Sequence, residues 1–241
     1  MIRLSVNVNK IATLRNTRGT NVPSVVGIAT ICLEGGAHGI TVHPRPDQRH
    51  IRPADVVHLT ALLKKYPHAE FNIEGNPFHD YLELVDKARP AQCTLVPDAP
   101  AAVTSNSGWH LTPTTIARLK PVVDQLKSWA CRVSLFMDVD ADMKPAADLG
   151  ADRVELYTEP YAVDFQKRGD IAAEPFKRAA DRAIAAGLGV NAGHDLNLNN
   201  LPALVAAIPH LAEVSIGHAL VADALEFGMA DTVRQYLLAI E

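Results

Sequence analysis

Several short apolar runs in this chain end in side chains that move protons or hold anions. In the stretch from His38 to Ile51, Gly39–Val42 reads as a buried strand ending at His43, and Arg45, Arg49 and His50 follow on the next loop. A histidine at a strand terminus is placed for proton transfer, and cations just beyond it suit an anionic substrate. Glu74 closes the run Phe71-Asn-Ile-Glu74. A carboxylate in a crowded strand mouth has its pKa raised by desolvation, which suits a general base or a shared proton carrier. Glu155 alternates with Val154 and Leu156, so an inward orientation requires it to be paired or protonated. Asn7, Asn9 and Lys10 follow the first apolar run. Two Gly-His pairs, Gly193-His194 (then Asp195) and Gly217-His218, follow the last two. Glycine there lets the backbone approach a ligand, and N–H groups at a helix start hold phosphate.

Other chemistries use the same residue types. His43, Glu74, His194 and His218 are all metal-ligand types, but no His-x-His or His-Glu-x-x-His occurs. Lys10 is the one lysine near a strand mouth and is the candidate for a Schiff base. Arg45 also reads as a solvated loop cation, Glu74 as the partner of a cation such as Arg45, and Glu155 as half of a structural salt bridge. His38, His58, His68, His79, His110 and His210 fall on helices or loops and read as surface or structural residues.

The elements that must position these groups alternate along the chain. Strands are expected at Arg3–Asn7, Gly39–Val42, 71–74, 92–96, 132–136, Arg153–Tyr157, 189–192 and 213–216. Helices are expected from Pro23-Ser24 to Gly35-Gly36, from Pro53 with Val56, Val57, Leu59, Leu62 and Leu63 as its apolar face, around Tyr81 to Val85, and at 114–130, 141–149, 172–186, 201–208, 219–227 and 229–240. Residues 8–22 read as a polar loop. Residues 97–113, rich in Pro, Ala, Ser and Gly, form a connection long enough to be a binding loop or lid. Eight βα units argue for a parallel sheet, and in this length for one closed (β/α)₈ (TIM) barrel domain over 1–241 with extra helices. A doubly wound open sheet fits less well, because no Gly-x-Gly-x-x-Gly follows the first strand.

The 241 residues are 48% hydrophobic and 21% charged, enough to bury a large core. Net charge is −4 with no basic tail, so neither nucleic acid nor membrane is expected as a partner, and an anion site must be a local cluster. The start of the chain lacks a signal peptide's apolar stretch, and Cys32, Cys93 and Cys131 read as reduced core thiols; the expected location is the cytoplasm.

Several motifs occur in one order across nearly the whole chain: Val6-Asn-Val-Asn-Lys-Ile-Ala-Thr-Leu-Arg-Asn-Thr-Arg-Gly19, Gly39-Ile-Thr-Val-His-Pro-Arg-Pro-Asp-Gln-Arg-His-Ile51, Phe71-Asn-Ile-Glu74, Leu95-Val-Pro97, Val133-Ser-Leu-Phe136, Val190-Asn-Ala-Gly-His194 and Ile216-Gly-His-Ala219. Together they resemble the pyridoxine 5′-phosphate synthase family of deoxyxylulose-dependent vitamin B6 synthesis. The resemblance implies a (β/α)₈ barrel that joins 1-deoxy-D-xylulose 5-phosphate to 3-amino-1-hydroxyacetone 1-phosphate, releasing inorganic phosphate and water, with neither metal nor cofactor. It implies that His43 and Glu74 accept protons, His194 donates one, and Glu155 stabilises a transition state. Asn7, Arg18, Gly217 and His218 match the positions that bind the aminoketone phosphate; Arg45, His50 and Thr104 match those for the deoxyxylulose phosphate. The family also implies a homo-oligomer, an octamer.

The chain departs from the family pattern at three places. Asn9-Lys10 stands where an Asp-His pair helps hold the deoxyxylulose phosphate, Asp195 replaces a glycine after the donor histidine, and Val221-Ala-Asp223 replaces Ile-Gly-Arg. Lys10 adds a cation that can take over the lost histidine contact. Asp195 adds an anion that must be turned away or paired beside a phosphate. Two other functions stay open on the residues: a barrel aldolase or isomerase acting on another sugar phosphate, and a non-catalytic phosphate-ligand binding relative.

Overall fold

The computed structural model describes residues 1–98 and 105–241. Eight parallel strands close on themselves in chain order: β1 (Arg3–Asn7), β2 (Gly39–Val42), β3 (Glu70–Gly75), β4 (Gln92–Leu95), β5 (Arg132–Met137), β6 (Arg153–Tyr157), β7 (Gly189–Gly193) and β8 (Leu211–Ile216), with β8 pairing back to β1. The expected closed (β/α)₈ barrel is thus the architecture. Around it lie α1 (Asn9–Asn16), α2 (Val25–Glu34), α3 (Pro53–Leu63), α4 (Tyr81–Ala88), α5 (Pro113–Ser128), α6 (Lys144–Leu149), α7 (Glu159–Arg168), α8 (Glu174–Ala185), α9 (Leu201–Ala207), α10 (His218–Phe227) and α11 (Met229–Ala239).

The period-two alternation of each strand sorts its residues. Leu4, Ile40, Val42, Ile73, Leu95, Leu135, Leu156 and Val214 are fully buried in the main apolar core beneath the helices. The alternate positions are mostly polar and fill the lumen, with Phe136 an apolar exception near its mouth. In its middle, Ser5 Oγ lies 2.6 Å from Thr41 Oγ1, Asn72 donates to Thr41 Oγ1, and Thr94 donates to Asn72 Oδ1. At the N-terminal end of the barrel, Arg3 and Arg132 share Glu70, and Gln92 donates to Glu213. The lumen is therefore held by hydrogen bonds and ion pairs, with the aliphatic packing placed outside it.

Helix starts follow local chemistry. Ser24 Oγ accepts the Gly27 N–H, and Thr112 Oγ1 accepts the Thr115 N–H ahead of Pro113. Two segments differ from the sequence expectation. Residues 8–22 are not all loop, because α1 lies within them; its buried face is Ile11, Ala12 and an arginine, Arg15, which leaves no apolar periodicity to read. Before α8 come α7 and a 3₁₀ helix at Gly169–Ala173; α7 buries only Tyr161 and Ala162, although Thr158-Glu-Pro160 is a helix-start signal. Val57 is exposed, so the buried face of α3 is Val56, Leu59, Leu62 and Leu63. All three cysteines are buried and unpaired.

Candidate active site

The C-terminal ends of the strands surround a cavity of about 420 Å³. His43, Glu74, Glu155 and His194 line it, as do Asn7, Asn9, Lys10, Arg45, His50, Asp195, Gly217 and His218. Of the other expected site residues, Arg18 is exposed on the turn after α1, away from the cavity wall. Thr104 lies outside the described residues.

Four groups can carry protons here. His43 follows β2 directly, and its backbone N–H donates to Asn9 Oδ1 at 2.9 Å. Its Nδ1 is 3.7 Å from Glu74 Oε2 at the end of β3. Both are buried, and burial drives both toward neutrality. The His43 pKa falls well below the ordinary imidazole value, chiefly by desolvation and then by the charge of Arg45. The Glu74 pKa rises well above the ordinary carboxyl value, by desolvation and then by Glu155. Glu155, 1% exposed, is pushed up to about 8, again mainly by burial. Its Oε2 has no partner among the described residues. Gly193 is the residue that leaves it room: a Cβ there would lie 2.8 Å from Glu155 Oε1.

His194 begins a turn of an unusual kind. His194 and Asp195 both have left-handed backbone, with φ of 74° and 57°. The buried Thr158 hydroxyl lies against the carbonyls of Gly193 and His194, and Asn200 Nδ2 donates to the Asp195 carbonyl at 3.1 Å. The imidazole packs against Phe136 and Tyr157, with ring centroids 5.0 and 5.7 Å away. Desolvation lowers its pKa, and the charge of Asp195 works against that.

Two corners of the cavity suit anions. In one, Arg45 is buried beside His50, whose pKa is lowered to about 4 by burial and by Arg45 and Arg49. His50 Nδ1 accepts the Ile51 N–H, so the neutral ring presents Nε2–H as a donor. Arg15 and Asn16 on α1 hold this loop by donating to the His50 carbonyl. In the other corner, Gly217, His218 and Ala219 open α10, and its N-terminal N–H groups border the cavity.

Sequence reasoning missed Asp98, Ser105, Thr158 and Ser215. Asp98 ion-pairs with Arg45, Ser105 donates to Asp98, and Ser215 lines the cavity from near the end of β8. The available signals were a carboxylate shortly after β4 and a serine alternating with Val214 and Ile216.

The model of the family described as pyridoxal phosphate biosynthesis protein PdxJ matches residues 4–241. The chain belongs to this family. A pyridoxine 5′-phosphate synthase of Mesorhizobium japonicum is 55% identical over 241 residues, and one of Porphyromonas gingivalis is 53% identical over 237; each alignment covers 98% of both chains. The fold is shared more widely. The tryptophan synthase alpha chain of Legionella pneumophila aligns with a TM-score of 0.64 at 11% identity, over 100% of this chain and 91% of that one. Phosphoribosyl anthranilate isomerase of Thermus thermophilus aligns at 0.60 and 14%, over 99% and 98%.

The positions that depart from the PdxJ pattern have clear places. Asn9 anchors the His43 backbone, and Lys10 is exposed at the cavity rim. Asp195 is exposed beside His194. Asp223 accepts the Tyr236 hydroxyl at 2.7 Å, tying α10 to α11 on the outside of the barrel. No helix among the described residues is long and apolar enough to cross a membrane.

Proposed function

We propose that this chain makes pyridoxine 5′-phosphate by joining 1-deoxy-D-xylulose 5-phosphate to 3-amino-1-hydroxyacetone 1-phosphate, with loss of inorganic phosphate and water. The observation that carries the proposal is one cavity in which four proton-transfer groups lie between two anion-holding corners. Membership of the PdxJ family supports the same reaction.

The chemistry follows from the states that burial imposes. The aminoketone brings its own amine, so the imine with the partner ketone needs no enzyme lysine. Arg45 and His50 hold the deoxyxylulose phosphate, and the α10 N-terminus with Asn7 and His218 holds the aminoketone phosphate. Between them His43, neutral in its dry setting, accepts a proton, and Glu74 serves as the second acceptor. Burial raises the Glu74 pKa, so its carboxylate is a stronger base than a solvated one. His194 returns a proton to the departing oxygen. Glu155, largely uncharged near pH 7, meets developing positive charge on the imine by giving up its proton at low cost. The family's homo-octamer and a cytoplasmic location belong to the same proposal.

The test is to incubate purified protein with both substrates and follow pyridoxine 5′-phosphate and inorganic phosphate together. Equal yields of the two are expected. Tight binding of both substrates without product would overturn the proposal, as would a borohydride-trapped adduct at Lys10 with a different sugar phosphate.

A further inference from the structure

The Arg45 guanidinium has a carboxylate partner within the protein. Its Nη2 lies 2.5 Å from Asp98 Oδ2, with side-chain exposures of only 4% and 5%. Ser105 Oγ donates to the same carboxylate oxygen at 2.7 Å, and His43 Nε2 is 3.9 Å away. A carboxylate in that position competes for the very donors a phosphate would use, since both are oxyanions matched to the guanidinium fork. It also solves a physical problem, because a buried guanidinium without a counter-charge is strongly destabilising.

The surroundings leave the carboxylate somewhere to go. Asn76 Nδ2 donates to the Asp98 backbone carbonyl at 2.9 Å, which holds the main chain while the side chain can rotate. A second cavity of about 70 Å³ borders Asp98 and Arg45, with Asn76 and His79 in its wall. Arg45 lines both cavities.

We propose that Asp98 is an internal stand-in for the substrate phosphate, holding Arg45 until the phosphate of the deoxyxylulose substrate arrives and takes its place. The inference rests on the assignment of Arg45 to that phosphate. Asp98 then sets specificity as well as affinity: a phosphate dianion displaces a single carboxylate charge, whereas a monoanionic ligand gains little by the exchange.

Asp98→Asn keeps the shape and removes the competing charge. If the pair is closed about nine-tenths of the time, its removal tightens binding about tenfold, because apparent affinity scales with the open fraction. Inorganic phosphate is therefore expected to bind Asp98→Asn about tenfold more tightly by calorimetry, and the KM for deoxyxylulose phosphate is expected to fall in step. Phosphate should also raise the Tm of Asp98→Asn more than that of wild type, a readout that survives partial loss of stability. Asp98→Ser, which removes the carboxylate in another way, should behave alike. Unchanged or weaker phosphate binding in both variants overturns the inference. Arg45→Gln separates that failure from failure of the underlying assignment: if it leaves both phosphate affinity and KM untouched, Arg45 is not the phosphate clamp at all.

Discussion

Glu155→Gln should make the protein's stability less dependent on pH. Glu155 sits in the lumen opposite Phe136 on β5 and Asn191 on β7, with Oε2 lacking a partner among the described residues. Its carboxyl is held from an ordinary 4.5 up to about 8 by desolvation and by Glu213. The folded chain therefore keeps this proton over a range in which the unfolded chain has lost it. Fewer protons on the unfolded state means that stability falls as pH rises, by about 1.4 kcal/mol per pH unit for one such group. The stabilisation from the retained proton is complete below about pH 4.5 and is lost as pH passes 8, at most about 5 kcal/mol in all. Glutamine keeps the volume and holds no titrating proton. Relative to wild type, Glu155→Gln should gain about 2–3 kcal/mol between pH 5.5 and 7.5. Glu74 and Glu213, also raised, leave a residual slope in both proteins, so only the difference belongs to Glu155. The assay is urea unfolding followed by fluorescence of Trp109 and Trp129 at fixed protein concentration across that range. Parallel stability curves would refute a buried, proton-holding Glu155.

Three further expectations concern the proton-transfer and anion groups. Glu74→Gln should lower kcat by roughly 10²–10⁴-fold with KM nearly unchanged, since it removes the acceptor and keeps the contacts; wild-type turnover rejects Glu74 as a base. Arg45→Lys keeps the charge but loses the fork of donors, so KM for deoxyxylulose phosphate should rise more than KM for the aminoketone phosphate; an equal rise in both means the two corners are wrongly assigned. Thr158→Val should lower kcat without raising either KM, because it leaves the His194 carbonyl short of a buried partner in a left-handed turn, at a stability cost of about 1–3 kcal/mol. Thr158→Ser should restore both, and a Thr158→Val enzyme with normal kcat would show that the turn holds His194 unaided.

The barrel was legible because its strands obey two rules at once. Their apolar positions alternate with polar ones, as in Arg3-Leu-Ser-Val-Asn7 and Arg153-Val-Glu-Leu-Tyr157, and each run ends near a chemically active side chain. The same alternation separates the core from the lumen. What could not be read was any contact between loops distant in sequence. Asp98 and Arg45 are 53 positions apart, on the loops after β4 and β2, and only the pairing of β3 with both strands brings them together. Thr158 was invisible for the same reason, because its partners follow a different strand. The helix α1 was hidden by chemistry rather than distance: its inward-facing Arg15 ion-pairs with Asp55 on α3, so a charge stands where a periodicity search looks for an apolar residue.

The polar lumen also bears on why the carboxyls near the mouth are tuned upward. A barrel filled with aliphatic side chains would desolvate Glu74 and Glu155 but would add no charge of its own. Here Glu213, on β8 toward the other end of the lumen, is buried and raises both of their pKa values through the barrel interior. Arg153 and the Gln92 amide favour the ionised form of Glu213, so its own pKa rises less than burial alone would make it. The charge state near the bottom of the barrel is thereby coupled to the proton carriers at the top. Asn191 on β7 stands in register between Glu155 and Glu213, and its amide carries no net charge to offset theirs. A cation introduced at Asn191 would lower the Glu155 pKa by favouring its ionised form. A neutral substitution there would leave it in place, because the charge and not the side chain's volume sets the coupling.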